Sequence, residues 1–276
     1  MRPAVWGDNM TEKKDNKRLN RTETILLDSL RRFLEGAECG TEQSCLVDRD
    51  VVMLANTHSV LPFLYQEISA NREQIDAQVY DLVQSKIGQT INQSYHLFFE
   101  TYRVVRALEE AGIMVTVLKG VAVASFYPVF EYRKSGDIDV LINDTGQAEE
   151  AEAVLKKLGY MVSARQEALH QIVMVNHRGI TVELHVMLSE PFDNAKINDI
   201  LESLFEDIKG HRIYKDILGF PIPILDDDYQ AFELLIHMLQ HFLRRGFGIR
   251  LLCDWVVYWN GCISKGGKPA DRYQEL

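Results

Sequence analysis

Two aspartates, Asp137 and Asp139, stand two residues apart at the start of the apolar run DIDVLI. If this run is a β-strand, both carboxylates lie on one face, while Ile138, Val140 and Ile142 point into the core. Two negative charges this close are unfavourable unless a cation lies between them or one carboxyl is protonated. A divalent cation bound by oxygen ligands would remove the repulsion. The spacing therefore indicates a metal site, with solvated carboxylates at a strand start as the alternative interpretation.

A third carboxylate follows in the segment TVELHVML, where Glu183 and His185 share one face of a predicted strand. If this strand lies beside DIDVLI, Glu183 completes a cluster of three carboxylates with Asp137 and Asp139. Such a cluster can hold two metal ions that stabilise the entering and leaving oxygens of a phosphoryl displacement. The alternative is that Glu183 is an exposed residue of an antiparallel strand.

The elements that would position these carboxylates form a short α/β segment between two helical regions. Apolar residues recur every three or four positions from Val79 to Leu108, which predicts one long helix ending near Gly112. The run IMVTVLKG is rich in β-branched residues and predicts a strand. This order predicts an α+β fold, a small mixed sheet flanked by helices. We expect a mobile tail over residues 1–20, an N-terminal helical region over 21–112, the α/β core over 113–190, and a small hairpin with a C-terminal helical region over 191–276.

Local patterns refine this order. Pro62, inside the helical stretch 49–68, predicts a break or kink. Asp144 with Gln147 predicts a capping box for the helix that follows. The runs HQIVMV and GITVELHV predict one hairpin, and RIYKDILGFPIPIL predicts a smaller one. Residues 228–260 return to a helical pattern, with a break at 246–248.

Composition excludes several classes of protein. The 276 residues are 46% hydrophobic and 25% charged, an ordinary balance for a soluble globular protein. The net charge of −10 argues against a broad nucleic-acid surface, which needs a basic footprint. No run of about 18 uncharged apolar residues predicts a membrane span, and no apolar segment predicts a signal peptide. The four cysteines show no CxxC pair, so we expect a cytoplasmic protein with reduced thiols.

The order of several motifs resembles a known family. The motifs are LKGVAVASFYP, R-x-x-x-DIDVLI and VELHVML, with DVVMLANTHSVLPFLYQEI before them and LLIHMLQH and RLLCDW after them. Over about residues 45–260, the chain looks like the uncharacterised nucleotidyltransferase family of the DNA-polymerase-β-like superfamily. The resemblance implies a small mixed nucleotidyltransferase-like sheet flanked by helices. It also implies transfer of a nucleoside monophosphate from a nucleoside triphosphate to a hydroxyl acceptor, which is a small molecule, a sugar, a protein or RNA.

The resemblance also implies roles for individual residues. Asp137 and Asp139 become ligands of Mg²⁺ or Mn²⁺, and Glu183 becomes the third carboxylate, which in this superfamily can serve as base for the acceptor hydroxyl. The superfamily's usual Gly-Ser at the first helix start is Lys119-Gly120 here, as it is in this family. Gly120 still lets backbone N–H groups approach a phosphate, and Lys119 supplies charge in place of the serine hydroxyl.

Two further residues lie close to the acids in sequence or on the same predicted strand face. Arg133, four residues before Asp137, is a candidate phosphate ligand because a guanidinium can grip phosphate oxygens in pairs. Its alternative is a loop arginine in solvent or paired with Glu131. His185 could orient a metal ligand or contact the acceptor, and we favour a histidine hydrogen-bonded beside the acids.

The segment 228–244 predicts an amphipathic helix with two different faces. A helical wheel places its apolar residues on a predicted core face: Phe232, Leu235, Ile236, Leu239, Phe242 and Leu243. It places its polar residues on the opposite face: Glu233, His237, Gln240, His241 and Arg244. His237 and His241 have no third ligand at zinc spacing. We expect His237, His241 and Arg244 to line a nucleotide cleft, with a solvent-facing surface as the alternative. Arg250 and Asp254, four residues apart, predict a structural ion pair.

The residues leave two other functions open. The missing Gly-Ser and the lack of an identified acceptor favour a catalytically inactive module that binds nucleotide or a partner. A toxin that modifies transfer RNA is the second alternative, because related folds act that way. The acidic net charge argues against the toxin.

Overall fold

The described strands form one mixed sheet. The structure, a computed structural model, describes residues 19–37, 47–165, 171–188, 190–208, 210–244, 246 and 248–264. The strands are β1 (Val115–Val117), β2 (Asp137–Ile142), β3 (Tyr160–Arg165), β4 (Gln171–Asn176), β5 (Thr181–His185), β6 (Arg212–Ile217) and β7 (Phe220–Leu225). Their order across the sheet is β3-β4-β5-β2-β1-β7-β6. The predicted α+β fold with a mixed sheet flanked by helices is confirmed.

The register of the sheet brings the two acidic strands together. β2 and β5 are parallel neighbours, with Asp139 opposite Glu183. The predicted hairpin of β4 and β5 is present, and so is the smaller hairpin of β6 and β7. The smaller hairpin joins the central sheet, because β7 runs parallel to β1. The sheet is therefore larger than the sequence predicted, while the boundaries of the four predicted regions stay a prediction.

Helices surround this sheet. Those in the described residues are α1 (Arg21–Leu34), α2 (Arg49–Thr57), α3 (Tyr65–Ala70), α4 (Ala77–Glu110), α5 (Val121–Ala124), α6 (Ala148–Lys157), α7 (Ala195–Ile208), α8 (Asp227–Arg244) and α9 (Ile249–Ser264). The predicted long helix is α4, with 34 residues. It ends before Gly112, whose φ of 82° suits glycine. The predicted break at Pro62 is a 3₁₀ turn between α2 and α3.

The apolar face of the sheet packs against α4 and α6. Ile138 and Val140 of β2 and Leu184 of β5 are buried in one cluster with Phe98 of α4 and Leu155 of α6. Because side chains alternate along a strand, this packing sends the side chains of the odd-numbered residues of β2 to the opposite face. The predicted division of DIDVLI between a core face and an acidic face is confirmed.

The orientation of α8 differs from the prediction. Four residues of the predicted core face are between 41% and 66% exposed: Leu235, Leu239, Phe242 and Leu243. Glu233 of the predicted polar face is 3% exposed. The predicted core face is therefore wrong for those four residues, although Ile236 is buried and Phe232 packs on a small core cluster. The physical reason is that α8 covers a polar cavity, where buried polar groups need polar partners.

The predicted capping box of Asp144 and Gln147 is also wrong. The Asp144 carboxylate accepts a hydrogen bond of 2.9 Å from the backbone N–H of Gly146. This bond caps a 3₁₀ turn, Thr145–Gln147, and α6 then begins without a side-chain cap. The polar pair therefore marks a turn before the helix, one element earlier than predicted.

Several predictions concern the ends of the chain and its cysteines. Residues 1–18 of the predicted tail lie outside the described residues, as do Cys39 and Cys45. Cys253 and Cys262 are buried thiols of α9. Within the described ranges, no helix is both long enough and apolar enough to cross a membrane.

Candidate active site

The three predicted acids line one cavity on the polar face of the sheet. Asp139 is 4% exposed, and Glu183 lies opposite it on the neighbouring parallel strand. Asp137 precedes Asp139 on the same face. The cavity has a volume of about 370 Å³, within the usual range for small-molecule sites. The sequence predicted that these three carboxylates meet if the two strands are neighbours. The strands are neighbours, and the three carboxylates line the same cavity.

His185 lies among the carboxylates. Its Nε2 is 3.0 Å from Oδ1 of Asp139 and 3.6 Å from Oε2 of Glu183. One ligand atom from each of these three residues lies within 4.8 Å of the others. This donor set of two carboxylates and one imidazole fits a divalent cation. Asp137 is outside that group of three. We call Asp137, Asp139, Glu183 and His185 the sheet side of the cavity.

Lys119 also contacts the central aspartate. It lies between β1 and α5, and its Nζ is 3.0 Å from Oδ1 of Asp139. The same Nζ is 3.4 Å from Nδ1 of His237 on α8. The ammonium of Lys119 and the imidazole of His185 therefore contact the same carboxylate oxygen of Asp139.

These contacts lower the pKa of Asp139, whereas the pKa values of Asp137 and Glu183 are raised. Burial would raise the pKa of Asp139, but Lys119 and His185 outweigh it and hold that pKa well below its ordinary value. Burial and the negative charge of Asp139 raise the pKa values of Asp137 and Glu183. Burial lowers the pKa of Lys119, yet Asp139 outweighs it and leaves that pKa above its ordinary value. The pair of Lys119 and Asp139 is therefore ionised near neutral pH.

Gly120 shapes the turn that holds Lys119. Its φ of 55° lies in the region that favours glycine. A Cβ at this position would be 3.6 Å from the backbone oxygen of Asp137. Gly120 is the N-cap of α5, which has four residues. The close approach of this turn to the acidic strand places Lys119 above Asp139.

Arg133 is a buried anchor of the loop before β2. Its Nε and Nη2 donate hydrogen bonds of 2.8 and 2.9 Å to the two carboxylate oxygens of Asp254 on α9. Its Nη1 donates to the backbone oxygen of Gly120 and to Oγ of Ser135. Neither alternative from the sequence, solvent or Glu131, describes this arrangement. Since these bonds engage most of the guanidinium, its role toward phosphate stays a prediction.

The sequence predicted that Asp254 pairs with Arg250, but the close partner of Asp254 is Arg133. Nη1 of Arg250 is 3.8 Å from Asp254 and donates to the backbone oxygen of Lys134. Tyr127 donates a hydrogen bond of 2.6 Å to Asp254. The predicted ion pair is therefore present as the longer contact of a network centred on Arg133.

The predicted polar face of α8 lines the cavity opposite the acids. We call this the helix side: Glu233, His237, Gln240, His241 and Arg244. Burial and Lys119 lower the pKa of His237 to about 2, so its imidazole is neutral and can accept a hydrogen bond from Lys119. The rings of His237 and His241 meet edge to face, 4.5 Å apart. The position on a cleft agrees with the sequence, and contact with a nucleotide stays a prediction.

The helix side is tied to the segment after β5. Nε2 of Gln240 donates a hydrogen bond of 2.8 Å to the backbone oxygen of Glu190. Arg244 pairs with the Glu190 carboxylate and donates a hydrogen bond of 2.9 Å to the backbone oxygen of Pro191. Gln240 and Arg244 therefore hold this part of α8 against the segment after β5.

A model of the uncharacterised nucleotidyltransferase family matches residues 47–264. The chain belongs to that family. The match spans the sheet, both sides of the cavity and the anchor of Arg133 on Asp254. No functionally curated protein matches the chain.

Two solved structures are similar to this chain at low sequence identity. One is the antibiotic-resistance factor ANT(2'')-Ia, at 14% identity and a TM-score of 0.43, covering 63% of this chain and 85% of that one. The other is an antigenic nucleotidyltransferase-like protein from Paracoccidioides brasiliensis, at 16% identity and a TM-score of 0.39, covering 59% and 74%.

Sequence reasoning gave no site role to three charged residues that line this cavity: Glu190, which was not considered, Glu233 and Arg250. Glu233 was placed on a polar face but given no role, and Arg250 was assigned to structure alone. Burial raises the pKa of Glu233 to about 8, with Lys119 as the main opposing influence. A signal for Glu233 existed, since it lies one helical turn before His237 on the same face.

Proposed function

We propose that this chain is a metal-dependent nucleotidyltransferase that transfers a nucleoside monophosphate from a nucleoside triphosphate to a hydroxyl of an unidentified acceptor. One observation supports it most. Asp139 and Glu183 occupy paired positions of adjacent parallel strands and line one cavity with Asp137. Carboxylates that converge on one sheet face can hold the metal ions that assist a phosphoryl displacement.

Each side of the cavity has a part in this proposal. Asp139 and Glu183, with Asp137 or His185 beside them, would hold Mg²⁺ or Mn²⁺. The bound cation would supply positive charge to the phosphate oxygens. Glu183, whose pKa is raised by burial and by Asp139, is suited to accept the proton of the acceptor hydroxyl.

The rest of the lining suits a charged substrate. Leu188 is the apolar exception in a lining of otherwise polar or charged residues and one glycine pair, Gly120 and Gly136. Lys119, Gly120, Arg133, His237, His241 and Arg244 form the proposed nucleotide-binding set. We also propose a cytoplasmic location, which the buried thiol of Cys253 supports.

A transfer assay tests the proposal. Purified protein is incubated with each α-labelled nucleoside triphosphate, Mg²⁺ or Mn²⁺, and fractionated cell extract. We expect a labelled product from wild type and a loss of at least about 100-fold with Asp139→Asn or Glu183→Gln, the scale expected when catalytic machinery is removed. Glu150→Gln, an exposed acid of α6, is the matched control. Equal labelling by wild type and Asp139→Asn would refute the proposal.

The contact between Lys119 and Asp139 favours a second candidate, a module that binds nucleotide without turnover. An ammonium 3.0 Å from the central carboxylate competes with a metal for that charge. Calorimetry distinguishes the candidates. Metal-dependent triphosphate binding with no product in any extract supports the module, and a product that requires Asp139 supports the enzyme.

A further inference from the structure

A single ammonium serves two buried acids in this cavity. Lys119 lies 3.0 Å from Asp139, which is 4% exposed. Glu233, on the helix side, is 3% exposed and lines the same cavity. Lys119 is the charge that most favours ionisation of Glu233. Lys119 therefore contacts Asp139 directly, while its positive charge also acts on Glu233.

Glu233 has weak compensation for a buried carboxyl group. It accepts a hydrogen bond of 3.3 Å from Nε2 of Gln230, which also donates to the backbone oxygen of Leu118 at 3.0 Å. Oε1 of Gln230 is buried without a hydrogen-bond partner. Buried acids of this kind are usually paired with a cation. Burial raises the pKa of Glu233 to about 8, which agrees with that shortage.

His237 links Lys119 to the helix that carries Glu233. Its neutral Nδ1 is 3.4 Å from Nζ of Lys119, and it lies one helical turn after Glu233. A lysine that leaves Asp139 therefore keeps one hydrogen-bond acceptor while it turns toward α8. The long side chain of lysine allows such a movement without a backbone shift.

We propose that Glu233 is a positioning residue that receives Lys119 when a divalent cation binds Asp139. The inference rests on the metal site of the proposed function. A divalent cation at Asp139 would neutralise the same carboxylate that Lys119 contacts at 3.0 Å, so metal binding weakens the hold of Asp139 on the ammonium and favours its displacement. Pairing with Glu233 keeps the displaced ammonium inside the cavity, beside the sheet side. The exchange forms no covalent bond, and the Glu233 carboxyl releases its proton to solvent when it pairs with Lys119.

The exchange has consequences of opposite sign. Removing the ammonium removes the competitor, so Lys119→Met should bind a metal more tightly than wild type. Replacing the Glu233 carboxyl by an amide, which cannot ionise, removes the destination of Lys119, so Glu233→Gln should bind a metal more weakly. Once Lys119 is absent, Glu233 has nothing to receive, and its substitution should change metal affinity little. Direct attraction between Glu233 and the metal would instead persist without Lys119.

The test measures Mn²⁺ affinity without nucleotide, by electron paramagnetic resonance of free Mn²⁺. The proteins are wild type, Lys119→Met, Lys119→Arg, Glu233→Gln and the double variant, at one pH and ionic strength. We expect about tenfold tighter binding for Lys119→Met, about fivefold weaker binding for Glu233→Gln, and less than about twofold effect of Glu233→Gln in the Lys119→Met background. Lys119→Arg should stay within about threefold of wild type, because it keeps the charge.

A matched control tests whether the position of Glu233 matters, or whether the loss of any acidic residue in the cavity has the same effect. Glu190 lines the same cavity but pairs with Arg244, so Glu190→Gln should leave Mn²⁺ affinity within about twofold. Circular dichroism and thermal unfolding confirm that each variant is folded. Equal weakening by Glu190→Gln and Glu233→Gln overturns the proposal, as does additivity in the double variant or no Mn²⁺ binding by any variant. A chain that binds Mn²⁺ in the expected pattern but transfers no nucleotide keeps this inference and loses only the enzymatic proposal.

Discussion

The two sides of the cavity are held by different kinds of bonds. The sheet side lies on β2 and β5, whose backbones are paired in register, so the strands fix the positions of Asp139 and Glu183. The helix side lies on α8, which is tied to the segment after β5 through side chains such as Gln240 and Arg244. The difference indicates that the spacing of the acids depends on the sheet, while the helix side can adjust to a substrate with less loss of stability.

The largest test of this comparison is Asp254→Asn. Asp254 is 1% exposed and binds two guanidinium nitrogens of Arg133, which in turn holds Gly120 and Ser135 beside the sheet side. The substitution leaves a buried guanidinium without its counter-charge. We expect the free energy of unfolding to fall by about 3–5 kcal/mol, measured by urea denaturation.

The control for this change is an exposed ion pair. Glu110 pairs with Arg106 at the surface of α4, where both side chains are more than half exposed. Glu110→Gln should cost less than about 1 kcal/mol. A loss for Asp254→Asn no greater than that for Glu110→Gln would contradict the assignment of Arg133 as the anchor of the sheet side.

Glu233, on the helix side, should make the stability of the protein depend on pH. Burial raises the pKa of Glu233 from 4.5 to about 8, so the folded protein binds this proton more tightly than the unfolded chain. The group stabilises the fold fully below about pH 4.5, and this stabilisation is lost as pH rises toward 8. We expect the unfolding free energy of wild type to fall by a few kcal/mol across that window relative to Glu233→Gln, with an upper limit near 1.4 kcal/mol per pH unit.

Urea denaturation at several values between pH 5 and pH 8 measures this difference. The comparison with Glu233→Gln cancels the contributions of other titrating groups, because both proteins share them. Parallel stability profiles for the two proteins would show that Glu233 is ionised in the folded state throughout, and that Lys119 already compensates it.

The sheet side could be predicted from sequence because strand alternation is local. Asp137 and Asp139 needed only their own strand, and Glu183 needed one assumption about its neighbour. The partner of Arg133 could not be predicted in this way, since Asp254 lies 121 residues away, whereas Glu131 was close at hand. A pairing between distant segments leaves no periodic signal in either of them.

The sequence predicted which residues share the polar face of α8, but it did not predict that this face is the buried one. The wheel separated polar from apolar residues of α8 correctly, and the usual rule that the apolar side is buried then gave the wrong orientation. Leu239 is 41% exposed while Glu233 is buried. The orientation depends on a cavity built by β2, β5 and the turn at Lys119, so the sequence of α8 alone could not determine it.

The smallest expected effect on stability comes from Arg244→Ala at the end of the helix side. Arg244 pairs with Glu190 in a partly exposed position, so its loss should lower the unfolding free energy by less than about 1 kcal/mol. If Arg244 also contacts the triphosphate, the same change should raise the KM for nucleotide by about tenfold with a smaller change in kcat. Arg106→Ala removes a similar exposed pair far from the cavity and should leave KM unchanged. Steady-state kinetics with both variants therefore separates the two parts that Arg244 can play. An unchanged KM in Arg244→Ala would confine this arginine to holding the segment after β5, and the residues of the helix side that can adjust to a nucleotide would then be His237 and His241.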